Sequence, residues 1–150
     1  MESERLLEII GATPLVSIDL ILENPQGEIL LGIRTNQPAQ GYWFVPGGRI
    51  RKNEPLADAF RRISAAELGK ELSIDGAELL GAFDHIYDDN FLGTAGINTH
   101  YVALGYKVKT ADEFAVVSDE QHSSMQWWPK DRLLNDPQVH ENTKRYFKSA

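Results

Sequence analysis

The 150-residue chain is 42% hydrophobic and 25% charged, with no cysteine and a formal net charge of −7. That length suits one domain over residues 1–150, large enough to bury roughly 70% of its unfolded surface; missing cysteine excludes disulfides and thiolate metal sites, and the acidic balance argues against a nucleic-acid partner, which needs a dense basic surface. No apolar run nears the ~18 residues of a membrane span, and Met1-Glu2-Ser3-Glu4-Arg5 lacks the features of a signal peptide, so no membrane partner and a cytoplasmic location are expected.

Leu15 to Glu23 reads as a strand, with Val16, Ile18, Leu20 and Leu22 on one face. Asn24-Pro25-Gln26-Gly27 supplies a turn, and Glu28 to Arg34 returns as the hairpin partner. Asn36 to Gly41 is loop-like. Trp43-Phe44-Val45 forms a short apolar strand before Pro46-Gly47-Gly48, which reads as a tight turn. Glu54 to Leu68 is the most helical stretch, capped by Asn53 or Glu54, with Pro55 in the first turn and Gly69 past the end. Strands follow at Leu79–Tyr87 and His100–Lys109, then a loop around Asp119–His122 and a strand at Met125–Trp128. Helices near Asp131–Leu134 and Val139–Phe147 close the chain. Strands with helices inserted late make an α+β pattern, a mixed sheet with helices packed on it.

One carboxylate breaks the helix pattern. With Leu56 at zero and roughly 100° per residue, Phe60 falls near 40°, Ile63 near −20° and Glu67 near 20°. Glu67 thus lies within the apolar arc, where an ionised carboxylate is costly without a cation or strong donors. Taken alone, the helix end protrudes and Glu67 reaches water. Its surroundings favour a metal ligand: Gly47-Gly48 lets backbone approach a ligand closely, and Arg34 and Arg49 lie nearby in sequence. A polyphosphate held between a cation and two arginines fits that set, even in an acidic chain.

The stretch from Gly48 to Gly69 resembles the Nudix box: Gly, five residues, Glu, seven residues, then Arg-Glu-x-x-Glu-Glu-x-Gly. Gly48, Glu54, Arg62, Glu67 and Gly69 fall in register, while Ile63 and Ala66 replace two glutamates and Lys70 the final apolar residue. The altered box is similar to that of the GDP-mannose mannosyl hydrolases. The likeness continues through Thr13-Pro14-Leu15-Val16-Ser17, Arg34-Thr35-Asn36, Tyr87-Asp88-Asp89-Asn90-Phe91, Thr99-His100-Tyr101 and Asp119-Glu120-Gln121-His122. It implies a Nudix fold, an α/β/α sandwich around a mixed β-sheet, usually in a homodimer.

The resemblance also implies chemistry. One Mg²⁺ per subunit, with Mn²⁺ an alternative, would be held by the Gly47 carbonyl, the Glu67 carboxylate and the Gln121 side-chain oxygen, a set suited to a hard cation that keeps its waters. Glu54 and Arg62 would pair structurally beside it. His122 matches the catalytic base, and Arg34 supports the leaving group. Arg34, Arg49 and Tyr101 fall at the diphosphate, Asp19 and His85 at the sugar. The implied reaction is hydrolysis of GDP-mannose, or GDP-glucose, to GDP and free hexose by water attack at sugar C1 with inversion. Carbon chemistry needs fewer carboxylates than phosphorus chemistry, in keeping with Ile63 and Ala66. A Nudix pyrophosphohydrolase attacking phosphorus is the alternative, and a non-catalytic nucleotide-sugar sensor a third. Singly, Gln121 and His122 read equally as loop residues, His85, His100 and His140 as structural histidines, and Asp84, Asp88 and Asp89 as a solvated cluster. No Phe, Tyr or Trp precedes Tyr42; Leu6 takes the region where the family places an aromatic near guanine.

Overall fold

The strand from Leu15 to Glu23 organises the sheet, because both of its faces are apolar over part of its length. A computed structural model, describing residues 2–111 and 125–148, places this strand, β1, at Leu15–Glu23 as expected. Ile18, Leu20 and Leu22 are buried on one face and Ile21 on the other, as alternation requires. Along its whole length β1 pairs in parallel with β6 (Thr99–Lys109), from Leu15↔Tyr101 to Glu23↔Lys109. Its other edge is divided. Glu23 pairs with Ile29 of the antiparallel β2 (Ile29–Ile33), whereas Ser17, Ile18 and Asp19 pair with β4 (Gly47–Arg49). β2 also pairs with β3 (Trp43–Phe44) and β7 (Met125–Trp128), and β6 carries β5 (Glu78–Tyr87). The described residues therefore form a seven-stranded mixed sheet of order β3-β2-β1-β6-β5, with β4 added to β1 and β7 to β2.

The longest helix, α2 (Leu56–Leu68), covers one face. Its Phe60, Ile63 and Leu68 pack with Ile18, Leu20, Leu22 and Leu30, and the Phe60 ring meets Tyr106 edge-on at 5.5 Å. Gly69 ends it in the left-handed conformation, at φ 71°, which glycine adopts without penalty. The opposite face gathers Ile21, Ile29, Leu31, Trp43, Trp128 and Val139 with Leu133 of α3 (Lys130–Asn135). Helical layers on both faces of a mixed sheet give the Nudix sandwich.

Four expectations need correction. Gly47-Gly48 is a strand rather than a turn, because its backbone completes the edge of β1 that β2 leaves open. The first turn of α2 has Pro55 at its cap with no side-chain bond. Asn53 is left-handed at φ 66°, and Glu54 accepts from the Arg51 amide at 3.0 Å and from Arg62. The C-terminal helix is only α4 (Glu141–Lys144), since Val139 is drawn into a bridge with Trp43. An unanticipated helix, α1 (Ser3–Ala12), precedes β1; it buries only Ile10 and has no side-chain cap.

Candidate active site

The divided edge of β1 builds the site. β4 sets Gly47 opposite Asp19 in the antiparallel register. A Cβ on Gly47 would collide with Asp19 Oδ1 and stand 2.6 Å from the Ile18 carbonyl, so this close approach requires glycine. From the other side, the last turn of α2 brings in Glu67. It is 8% exposed, and its Oε1 lies 3.4 Å from the Gly47 amide that donates to it. The helical angle therefore places Glu67 correctly on the inward arc.

Glu54 and Arg62 are joined as expected. Arg62 Nε donates to Glu54 Oε2 at 2.7 Å and Nη2 to Oε1 at 2.8 Å, the planar fork that favours bidentate carboxylate pairing. Nη2 also donates to the Arg49 carbonyl at 2.9 Å. The pair thus ties α2 to β4 and anchors the backbone that carries Gly47 and Arg49. Hydrogen bonds from Arg62, then from the Arg51 amide, hold the Glu54 carboxyl down at about 2.

A two-lobed cavity opens over this junction. The outer lobe, about 440 Å³, reaches from Leu6 and Ile10 of α1 past Asn36, Gln37 and Phe91. The inner lobe, about 100 Å³, is lined by Asp19, His85, Phe44 and Tyr87. Arg34, Gly47, Arg49, Glu67 and Tyr101 border both lobes. Arg34 follows β2, with its guanidinium carbon 5.5 Å from the Phe44 ring centre; its buried Nε has no hydrogen-bond partner among the described residues. Burial raises the Tyr101 phenol, opposed by the charges of Arg34 and Arg49.

In the inner lobe, burial pushes the Asp19 carboxyl up to about 7. A hydrogen bond from Tyr146 and the Arg34 charge oppose that rise, and the Glu67 charge adds to it. His85 is 5% exposed. Burial, with the charges of Arg145 and His140, lowers its imidazole to about 4, so it is neutral at pH 7. Its Nδ1 stands 3.7 Å from Asp19 Oδ2, beyond hydrogen-bonding distance.

Every expected site residue within the described chain thus borders this cavity, apart from the Glu54–Arg62 pair that braces it. Gln121 and His122 lie outside the described residues. His100 instead pairs with Asp84 at 3.0 Å. His140 accepts from the Asn142 amide at 3.0 Å and stacks on Phe44 at 4.8 Å, so it props the cavity wall. Among the described residues, no group of three or more His, Asp or Glu side chains could hold a metal. The buried Glu67 carboxylate beside the Gly47 backbone nevertheless suits a hard cation, whose donors can be carbonyls, amide oxygens and waters. Sequence reasoning did not single out Tyr146, whose hydroxyl donates to Asp19 Oδ2 at 2.6 Å across 127 positions. No local pattern links residues so far apart.

A mixed sheet between helices, with a glycine strand leading into a helix that turns a carboxylate back onto it, defines the Nudix class. The chain belongs to the NUDIX domain family, whose match covers residues 13–149. Nudix hydrolases act on nucleotide-derived substrates and generally use divalent cations such as Mg²⁺. Over 118 residues the chain is 43% identical to the Low-salt glycan biosynthesis protein Agl8 of Haloferax volcanii, covering 78% of this chain and 72% of that one. The crystal structure of a MutT NUDIX hydrolase from Burkholderia pseudomallei is 30% identical, with a TM-score of 0.69 over 89% of this chain and 95% of that one. A MutT protein from Methanosarcina mazei Go1, 18% identical, superposes with a TM-score of 0.71 over 91% and 92% of the two chains, a likeness of fold.

Proposed function

We propose that the protein hydrolyses a nucleoside-diphosphate sugar, GDP-mannose first and GDP-glucose next, to GDP and free hexose by water attack at sugar C1 with inversion. The observation that carries this reading is the fate of the box positions. Ile63 is 1% exposed in the core and packs against Gly48, and Ala66 is exposed. Neither side chain carries an oxygen, so Glu67 remains as the one carboxylate of the three. A site so poor in carboxylates suits departure of a diphosphate from carbon better than multi-cation attack on phosphorus. The glycan-biosynthesis name of the Haloferax relative is in keeping with nucleotide-sugar chemistry, and the cytoplasm is the expected setting.

The two lobes suggest how the substrate lies. The nucleoside occupies the outer lobe, the diphosphate spans the junction at Arg34, Arg49 and Tyr101, and the hexose enters the inner lobe beside Asp19 and His85. The Nε of Arg34, without a partner among the described residues, is a donor for the leaving oxygen, and its guanidinium stays charged throughout. Neutral His85 can accept or donate a hydrogen bond to a sugar hydroxyl without bringing charge. His122 takes the proton of the attacking water, a task suited to an imidazole, whose reference pKa is ~6.5. The Gly47 carbonyl, Glu67 and Gln121 would hold one Mg²⁺ or Mn²⁺ per subunit, which would supply positive charge against the developing diphosphate. The reading includes a homodimer, for which β5, at the end of the sheet order with Leu79 52% and Ile86 56% exposed, offers a surface.

Hydrolysis in ¹⁸O-water tests the carbon attack. Label is expected in the hexose; label in a nucleotide phosphate overturns the proposal in favour of a pyrophosphohydrolase. His122→Gln should lower turnover about 100-fold or more, and near-wild-type turnover removes His122 from the role of base.

A further inference from the structure

We propose that Tyr146 is a positioning residue that fixes the Asp19 carboxylate in the inner lobe, and that Gly105 provides the space through which it reaches. The contact joins two chain ends. The Tyr146 hydroxyl donates to Asp19 Oδ2 at 2.6 Å, while Oδ1 lies on the Gly47 side of the cavity. Asp19 and Gly105 are partners in the parallel β1–β6 register. A Cβ on Gly105 would stand 2.5 Å from Tyr146 Cε1 and 3.0 Å from Cδ1. The ring thus fills the space that a side chain at Gly105 would take. Two rings of β5 hold its other sides: Phe83 edge-on at 4.7 Å and His85 at 5.6 Å. The Tyr146 amide is itself bonded to the Thr143 carbonyl at 3.2 Å, which ties the ring to the end of α4.

Such packing leaves the phenol few torsional choices. A side chain locked by its neighbours holds a functional group far better than one left to rotate. A donor on Oδ2 also offsets part of the cost of burying a carboxylate. With Oδ2 engaged by Tyr146 and Oδ1 on the Gly47 side, the carboxylate is held in one orientation at the wall of the inner lobe. The role in catalysis rests on the hydrolytic reading above; the contact itself does not.

A double-mutant cycle of Tyr146→Phe and Asp19→Asn decides the matter, measured both on turnover and on unfolding free energy. Turnover is followed with whichever nucleotide substrate the wild type cleaves. Tyr146→Phe keeps the ring and removes the donor. Expected is a drop in kcat of about tenfold or more, the scale of one hydrogen bond to a charged group, with KM changed less than about twofold and no further drop in the Asp19→Asn background. The unfolding cycle should show coupling between the two positions. Unchanged kcat in Tyr146→Phe overturns the proposal, even if Tm falls, because the ring is then mere filling. Additive effects in both cycles overturn it as well. Should Tyr146→Phe fail to fold, Gly105→Ala displaces the ring instead, and the same selective loss of kcat is expected; a Gly105→Ala enzyme with normal kcat counts against the proposal. Cleavage at phosphorus by the wild type overturns the carbon-attack reading alone and leaves the cycle to judge Tyr146.

Discussion

A carboxylate on the apolar arc of a helix is ordinarily expelled to water, yet Glu67 is 8% exposed and borders both lobes of the cavity. Its burial is reconciled by the Gly47 amide and, in the proposed function, by a cation. Glu67→Gln should therefore raise the half-saturating Mg²⁺ concentration about tenfold or more, read from turnover in a metal titration. The metal-free protein should keep or gain thermal stability, because an amide is cheaper to bury than a carboxylate. An unchanged titration removes Glu67 from the ligand set. Arg34 supports a second test. Lysine retains the charge but not the planar array of donors, so Arg34→Lys should lower kcat/KM about tenfold. Equal activity would show that charge alone suffices there.

The α2–β4 unit depends on the Glu54–Arg62 pair, which also grips the Arg49 carbonyl. The Glu54 carboxyl is held at about 2, against its ordinary 4.5. A depressed carboxyl stabilises the fold fully above its unfolded value, and that contribution is lost as pH falls through the folded value. The stability difference between wild type and Glu54→Gln should thus be constant near neutrality and shrink from pH 4.5 toward about 2. Urea unfolding over a pH series measures it; a pH-independent difference would exclude the ion pair as its source. At the other end of α2, Gly69 sits at φ 71°. Gly69→Ala should cost about 1–2 kcal/mol, the usual penalty for a left-handed L-residue, again read by urea unfolding.

Across the whole molecule, α1 lines the outer lobe through Leu6 and Ile10, neither of which borders the inner lobe with Asp19 and His85. On the proposed function, removing the segment up to Ala12 should raise KM for the nucleotide sugar and weaken GDP binding by the same factor, with kcat nearly preserved. Calorimetry with GDP and steady-state kinetics on the truncated protein test this. A collapse of kcat with unchanged GDP affinity would mean that α1 serves the reacting end instead. α2 was legible because its burial follows a simple period, with Phe60 and Ile63 on one arc. β1 was legible from its apolar residues, although Leu20, Ile21 and Leu22 are buried in succession because both its faces are covered, and Val16 is exposed. β4 escaped notice because Gly47 and Gly48 have no side chains to alternate. α1 buries a single residue, and Val139 joins Trp43 by a pairing that no neighbouring residue announces.

The amino-acid order alone determined the inward angle of Glu67, because helical geometry acts within a short segment. It also carried the spaced residues of the Nudix box, Glu54 and Arg62 among them, together with Arg34 and Arg49, whose roles the family resemblance implied. Tertiary structure decided which of these meet. The divided edge of β1 brings Gly47 against Asp19, α1 closes the outer lobe, and the space over Gly105 lets Tyr146 touch a carboxylate 127 positions away. Those contacts arise from strand register and packing between distant segments, which act only once the sheet has formed.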